Sequence, residues 1–207
     1  VVIKEVLKRA DLASEEVDEI IIGQVLTAGT GQNPARQAAM EAGIPVSKPS
    51  HIVNQVCGSG LRAVISGLQS IKLGESSKVI TGGQESMSIT PNLIFNKNLK
   101  KNLENELVDT MVYDGLLDAF NNYHMGVTAE NVAKQFDISR QQQDEFALDS
   151  QKKTQDAIIN GRFKNELIEI DLNGNSLKKD EHPRNNLTLT DLQKLKTVFM
   201  ENGTVTP

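Results

Sequence analysis

Only one residue of this 207-residue chain is a cysteine, Cys57, so no internal disulfide framework holds it together and the usage fits a reducing compartment. Long apolar runs are missing too. Stretches such as Ile20-Ile21-Ile22 are far too short to cross a bilayer. Val1-Val2-Ile3-Lys4-Glu5 has the pattern of neither a signal nor a transit peptide, which points to the cytoplasm and away from a membrane. Neither sign of charge dominates. The net charge is −5 with acids and bases interleaved, so no face reads as a nucleic-acid footprint, and Lys97 to Lys101 and Lys178-Lys179 read as solvated loops. Histidine is scarce: His51, His124 and His182 show no metal-ligand spacing with one another or with Cys57, and no metal is expected. Internal repeats and low-complexity linkers are also absent from the sequence. What remains is 38% hydrophobic, enough to bury a sizeable core as one domain or two.

The first part of the chain alternates helix and strand patterns. Ile3, Val6, Leu7 and Ala10 mark a helix over Ile3 to Leu12, followed by the cap-like Ser14-Glu15-Glu16 and a strand over Glu19 to Leu26. A helix over Pro34 to Ala42 has proline in its first turn and Gly43 beyond its end. Then come a strand over Ser50 to Val56, a helix over Ser59 to Leu73 and a strand over Lys78 to Thr81. Such alternation predicts an α/β layer with a largely parallel sheet. From about Thr90 to Asp191 the chain turns polar, with Asn92, Asn96, Asn98, Asn102 and Asn105 crowded together. Two amphipathic helices emerge there, Thr128 to Gln135 and Arg140 to Asn160, the second with Phe146, Ala147, Ser150, Thr154, Ala157 and Ile158 on one stripe. A strand-like Glu166 to Asp171 precedes the turn Asn173-Gly174-Asn175. This region reads as an insertion lidding the α/β layer.

Cys57 sits in Asn54-Gln55-Val56-Cys57-Gly58-Ser59-Gly60-Leu61, on the turn from the second strand-like run into the longest helix of the first part. Unpaired N–H groups and the positive end of an opening helix favour negative charge on sulfur, and Gly58 and Gly60 allow a sharp turn and close approach. The pattern fits a nucleophile. It also fits a small buried hydrophobe or a plain anion site, and spacing alone does not choose among them. Gly29-Thr30-Gly31 is too short for a dinucleotide fingerprint. Glu85, after a Gly-Gly turn, and Glu130, placed by this reading in a first helical turn, take structural rather than acid–base roles.

Beyond that turn, Val53-Asn54-Gln55-Val56-Cys57-Gly58-Ser59-Gly60-Leu61-Arg62-Ala63-Val64 closely resembles the nucleophile segment of the thiolases, the acetyl-CoA C-acetyltransferases. Gly82 to Ser88, Gly31 to Gln37, Tyr123 to Ala133 and Gly203 to Thr206 resemble further family segments in the same order. The resemblance to thiolases of bacterial biosynthetic type implies an N-terminal α/β domain over 1–89, a CoA-binding loop domain over 90–191 and a return segment over 192–207. It implies that Cys57 carries the acyl group, that His124 and Met125 line the acyl and pantetheine pocket, and that Arg184 lies against the CoA adenine. Coenzyme A thioester is then substrate, with no further cofactor, and the parent is a dimer of dimers working in fatty acid metabolism. A related ketoacyl synthase is disfavoured because Tyr123-His124-Met125-Gly126 belongs to thiolases.

Departures from the family are equally specific. The chain enters at the family's first helix, without its first strand, and matches only the N-terminal half. No residue here matches the Gly-His-Pro segment, the second catalytic cysteine or the water-binding asparagine of the other half. Lys196 stands where members often have arginine. The expected function is therefore an acyltransferase half, acetylated at Cys57 but not completing condensation or thiolysis alone; the alternative is a non-catalytic acyl-CoA-binding or interaction module of the same descent.

Overall fold

Ile20, Ile21 and Ile22 form the centre of the first of two compact units, Val1–Leu116 and Leu117–Pro207, in a computed structural model that describes residues 1–95 and 107–207. They lie on β1 (Glu19–Gly23), which pairs in parallel with β2 (Ser50–Val53) on one side and β3 (Val79–Gly83) on the other. A strand with partners on both edges and helices on both faces must be apolar throughout, which is why these β-branched residues do not alternate with polar ones. Ile20 and Ile22 point to the face covered by Ile3 and Leu7 of α1 (Val2–Ala10) and Ala35 and Ala39 of α2 (Pro34–Glu41), with Val17 and Ile44 closing the cluster.

The opposite face of β1 lies under α3 (Ser59–Leu73). Glu19 accepts a hydrogen bond from Ser70 of this helix, and Gly23 lies against its first turn, so Ile21 between them shares that face. α3 comes close because it presents small residues to the sheet. Ala63 and Gly67 are buried, and a methyl on Gly67 would stand 2.6 Å from Thr81 Cγ2. The outward face of α3 is apolar and uncovered, with Leu61 68% and Leu68 52% exposed. Among the described residues the sheet edges are β2 and β3.

Two expected strands end early for identifiable reasons. β1 stops at Gly23 rather than Leu26 because the N–H groups of Val25 and Leu26 are taken by the Glu85 carboxylate instead of a neighbouring strand. β2 stops at Val53 rather than Val56 because Asn54 Oδ1 accepts from the Val56 N–H and starts a turn. The first unit ends with the short antiparallel pair β4 (Asn92–Leu93) and β5 (Val108–Asp109) and helix α4 (Thr110–Gly115). The asparagines and lysines noted between 96 and 106 lie outside the described residues.

In the second unit, α5 (Met125–Gln135) begins three residues before the expected Thr128, and α6 (Arg140–Ile159) follows behind a Ser139–Gln142 capping box. The stripe expected on α6 is corrected in part: Ala147, Thr154 and Ala157 are half-buried, but Phe146 is 77% exposed, and the one buried residue is Asp144. Asp144 is buried because Arg140 Nε lies 2.9 Å from both its oxygens, while Arg140 Nη2 donates to the carbonyls of Leu192 and Leu195 and so ties α6 to α7 (Leu189–Gln193). Of the strand-like Glu166 to Asp171, only the end pairs, as β6 (Ile170–Leu172) against β7 (Asn175–Leu177) through Asn173 and Gly174, both at positive φ. Sequence reading places boundaries after residues 89 and 191; the compact units divide after Leu116, and residues 192–207 belong to the second.

Candidate active site

The strand order β2-β1-β3 means the chain leaves the central strand for one edge and then crosses to the other, with α2 and α3 on opposite faces. Where windings diverge in this way, a crevice opens beyond the carboxyl ends of the strands. Here it is a cleft of about 560 Å³ bounded by Gly23 at the end of β1, Val56 and Cys57 after β2, and Gly83 to Glu85 at and after the end of β3.

Cys57 is exposed at this cleft, one residue ahead of the α3 cap residue Gly58. The turn that holds it is over-determined. Val56 adopts φ +48°, a left-handed conformation that a β-branched residue enters only at a cost of about 1–3 kcal/mol. Ser59 compensates on both sides: its Oγ donates to the Val56 carbonyl at 2.5 Å and accepts from the Gln55 N–H at 2.9 Å. The N–H groups of Gly58 and Ser59 close the turn onto the carbonyls of Gln55 and Val56. Gly23 completes the seat. A methyl there would collide with the Ser59 carbonyl carbon and stand 2.5 Å from the Gly60 nitrogen, so only glycine lets α3 begin directly on the end of β1.

The remaining polar groups of the cleft serve its walls. Glu85 accepts from Val25 at 2.9 Å and Leu26 at 3.2 Å, holding the loop after β1. The buried Gln24 amide donates to the Leu26 carbonyl and accepts from Gln84 Nε2 at 2.7 Å. Among the described residues, no lysine or arginine lines the cleft. An exposed thiol is not a buried hydrophobe.

His124, Met125 and Arg184 all belong to the second unit. His124 is the N-cap of α5: its Nδ1 accepts from the Gly126 N–H at 2.9 Å, which is why the helix starts before Thr128. Histidine is an uncommon cap, so the sequence signal was weak. The imidazole stacks on Phe199, with centroids 5.0 Å apart and planes 18° from parallel. Met125 is 38% exposed and lines a cleft of about 470 Å³ with Thr128, Val132, Ile138 and Val205. Arg184 is exposed; its N–H donates to Gln151 Oε1, and no ion pair holds its guanidinium among the described residues. No hydrogen bond or ion pair among the described residues joins Arg184 to His124 or Met125.

Sequence reasoning misplaced Glu130. It lies mid-helix in α5 and is buried, and its carboxylate accepts from the N–H groups of Thr204 and Val205 and from Thr204 Oγ1, all at 2.8–2.9 Å. Burial pushes its acidity weaker, but the hydrogen bonds from Val205 and Thr204 outweigh burial and hold the carboxyl below its ordinary range. Gly23, Phe199 and Gly126 also went unread. The cue for Gly23 was a glycine ending an otherwise β-branched strand. No local signal marks Phe199. Among the described residues, no group of three or more His, Cys, Asp or Glu could hold a metal ion.

Comparison with known proteins yields a consistent set of relatives. The family described as "Thiolase, N-terminal domain" matches residues 1–207. The chain is 49% identical over 209 residues to the acetyl-CoA acetyltransferase of Shinella zoogloeoides, covering 99% of this chain and 53% of that protein. It is 48% identical over 212 residues to the cytosolic acetyl-CoA acetyltransferase of Rattus norvegicus, covering 100% and 53%. Among solved structures, Acat5 thiolase from Ascaris suum in complex with coenzyme A superposes with a TM-score of 0.90 at 34% identity, covering 99% of this chain and 53% of that one. The Bacillus anthracis acetyl-CoA acetyltransferase gives 0.89 at 35% identity, with the same coverage. The chain spans about half the length of the curated relatives it matches.

Proposed function

The chain belongs to the thiolase family, matching its N-terminal domain over residues 1–207, and from that premise we propose that it supplies the acyl-accepting half of an acetyl-CoA acetyltransferase, with Cys57 as nucleophile. The observation that supports this most is the exposed thiol in an apolar cleft at the strand ends, on a turn strained at Val56 and locked by Ser59. The thiolate adds to the thioester carbonyl carbon of acetyl-CoA. The tetrahedral oxyanion collapses, the bond from that carbon to the CoA sulfur breaks, and CoA leaves as the thiolate that takes up the proton. Acetyl remains as a thioester on Cys57 Sγ. The N–H of Cys57 itself, just ahead of α3, is the donor we assign to the oxyanion, since those of Gly58 and Ser59 already close the turn.

Condensation requires an enolate of a second acetyl-CoA to attack this acyl-enzyme, and no residue of the chain matches the base and acid that the family uses. We therefore infer acetylation without turnover for the chain by itself. The uncovered apolar face of α3, with Leu61 and Leu68 exposed, supports a second half packing there. In the loop domain, His124 and Met125 contact the pantetheine arm, and the exposed guanidinium of Arg184 stacks on the adenine. The parent is a cytosolic homo-oligomer, a dimer of dimers, in fatty acid metabolism. One relative is named cytosolic, and no helix among the described residues is long and apolar enough to cross a membrane.

Intact mass measured before and after mixing with acetyl-CoA, with peptide mapping, tests the reading. One hydroxylamine-labile acetyl group on Cys57, absent from Cys57→Ser, is expected. CoA binding that is equal in Cys57→Ser, with no adduct on the parent chain, would instead support a binding module.

A further inference from the structure

His124 is held by two contacts that nothing in its own segment reveals. Its Nδ1 is committed as acceptor to the Gly126 N–H, so the proton of the neutral ring sits on Nε2. Its plane is fixed by Phe199, which lies 75 positions along the chain (199 − 124) and stacks on it nearly parallel. Gly126 makes both contacts possible, because a methyl there would run into the Phe199 ring, 2.5 Å from Cδ2 and closer to two other ring carbons. The Phe199 segment is itself anchored. Gly203 N–H closes a turn onto the Met200 carbonyl, and Glu130 grips Thr204 and Val205.

We propose that Phe199 is a positioning residue for His124. It fixes the ring plane and, with the Gly126 N–H, a single tautomer whose Nε2–H is presented as a directed donor to the acyl-thioester or pantetheine oxygen. An unstacked imidazole turns about its side-chain bonds and exchanges tautomers, and each freedom must be lost again when a ligand acceptor binds. A ring stacked and capped beforehand has already lost them. The ligand half of the proposal rests on the function proposed above; the imidazole half does not.

The test is the imidazole nitrogen spectrum of the full 207-residue chain, without ligand, with the His124 signals identified by their loss in His124→Asn. The wild-type chain should show an unprotonated Nδ1 and a protonated Nε2. Phe199→Met, which keeps apolar volume but removes the ring, should move both signals toward the average of mixed tautomers, and Phe199→Tyr should restore them. Phe199→Leu serves the same purpose if the Met variant does not fold. Affinity for coenzyme A should fall by about three- to tenfold in the Met or Leu variant, the equivalent of one aromatic pair, and stay near wild type in the Tyr variant. A purely structural role would lower thermal stability while leaving the tautomer unchanged. That result, or mixed tautomers in the wild-type chain, overturns the proposal. If the wild-type chain shows the single tautomer yet binds no coenzyme A, the functional reading fails and the positioning of His124 stands.

Discussion

The two units of this chain are held together by different means. In Val1–Leu116 the interior is β-branched and aliphatic, and its closest approaches are set by glycines, at Gly23 under the start of α3 and at Gly67 against Thr81. In Leu117–Pro207 the buried fastenings are charged: Glu130 grips Thr204 and Val205, and Arg140 with Asp144 ties α6 to the end of α7. Among the described residues the first unit buries no charged side chain, whereas the second buries Glu130 and Asp144 beside a close glycine approach of its own at Gly126. The difference explains why the first holds the Cys57 turn against a packed strand end, while the second anchors its segments through a handful of polar contacts whose loss is costly.

The largest effect should come from breaking the second kind of fastening. Glu130→Ala leaves the half-buried N–H groups of Thr204 and Val205 without an acceptor and should cost about 2–4 kcal/mol, read as faster hydrogen exchange in the second unit with the first unit unchanged. Equal acceleration in both units would refute the separation. Glu130→Gln should cost less and also change the response to acid. A carboxyl held below its ordinary 4.5 in the folded chain contributes stability above that value and loses it as the pH falls through the lowered one. Asp18 in the first unit is lowered in the same direction by the N–H groups of Ser77 and Lys78. The second unit should therefore weaken from about pH 4.5 downward and the Asp18 contribution in the first from about pH 3.8 downward, and Glu130→Gln should flatten that limb for the second unit alone.

Next in size is a steric break in the first unit. Gly23→Ala drives a methyl into the backbone of Ser59 and Gly60, so α3 must shift, at about 1–3 kcal/mol. Because the same residues hold the Cys57 turn, the rate of acetylation at Cys57 should fall by more than the loss of stability explains. An alkylation and acetylation rate equal to wild type would show that the turn does not depend on that contact.

How legible each unit was in the sequence follows from the same contrast. α3 begins and ends where its apolar spacing and flanking glycines put it, and the parallel α/β layer, Cys57 on its turn and the order of the family's segments could all be read directly. Strand ends were less readable, because β1 and β2 stop where side chains of Glu85 and Asn54 take over backbone donors. The second unit resisted more. A histidine cap moved the start of α5, a mid-helix glutamate looked like a first-turn one, and Phe199 and His124 meet across a separation that no periodicity records. Hydrophobic patterning locates a core built from hydrophobes; it is blind to one fastened by carboxylates and caps.

The smallest predicted effect tests that blindness on one helix. The sequence stripe on α6 put Phe146 inside, yet it is 77% exposed, and the side that turns inward is marked by the buried Asp144 with Ala147 and Gln151 half-buried at helical spacing behind it. Phe146→Ser should therefore change the stability of the chain by less than about 0.5 kcal/mol, whereas Ala147→Asp should cost about 1 kcal/mol or more by setting a second carboxylate near the Arg140–Asp144 pair. Chemical denaturation of the two variants side by side decides it. If Phe146→Ser is the more damaging, α6 is anchored by its aromatic after all, and the buried carboxylate is not what fastens it.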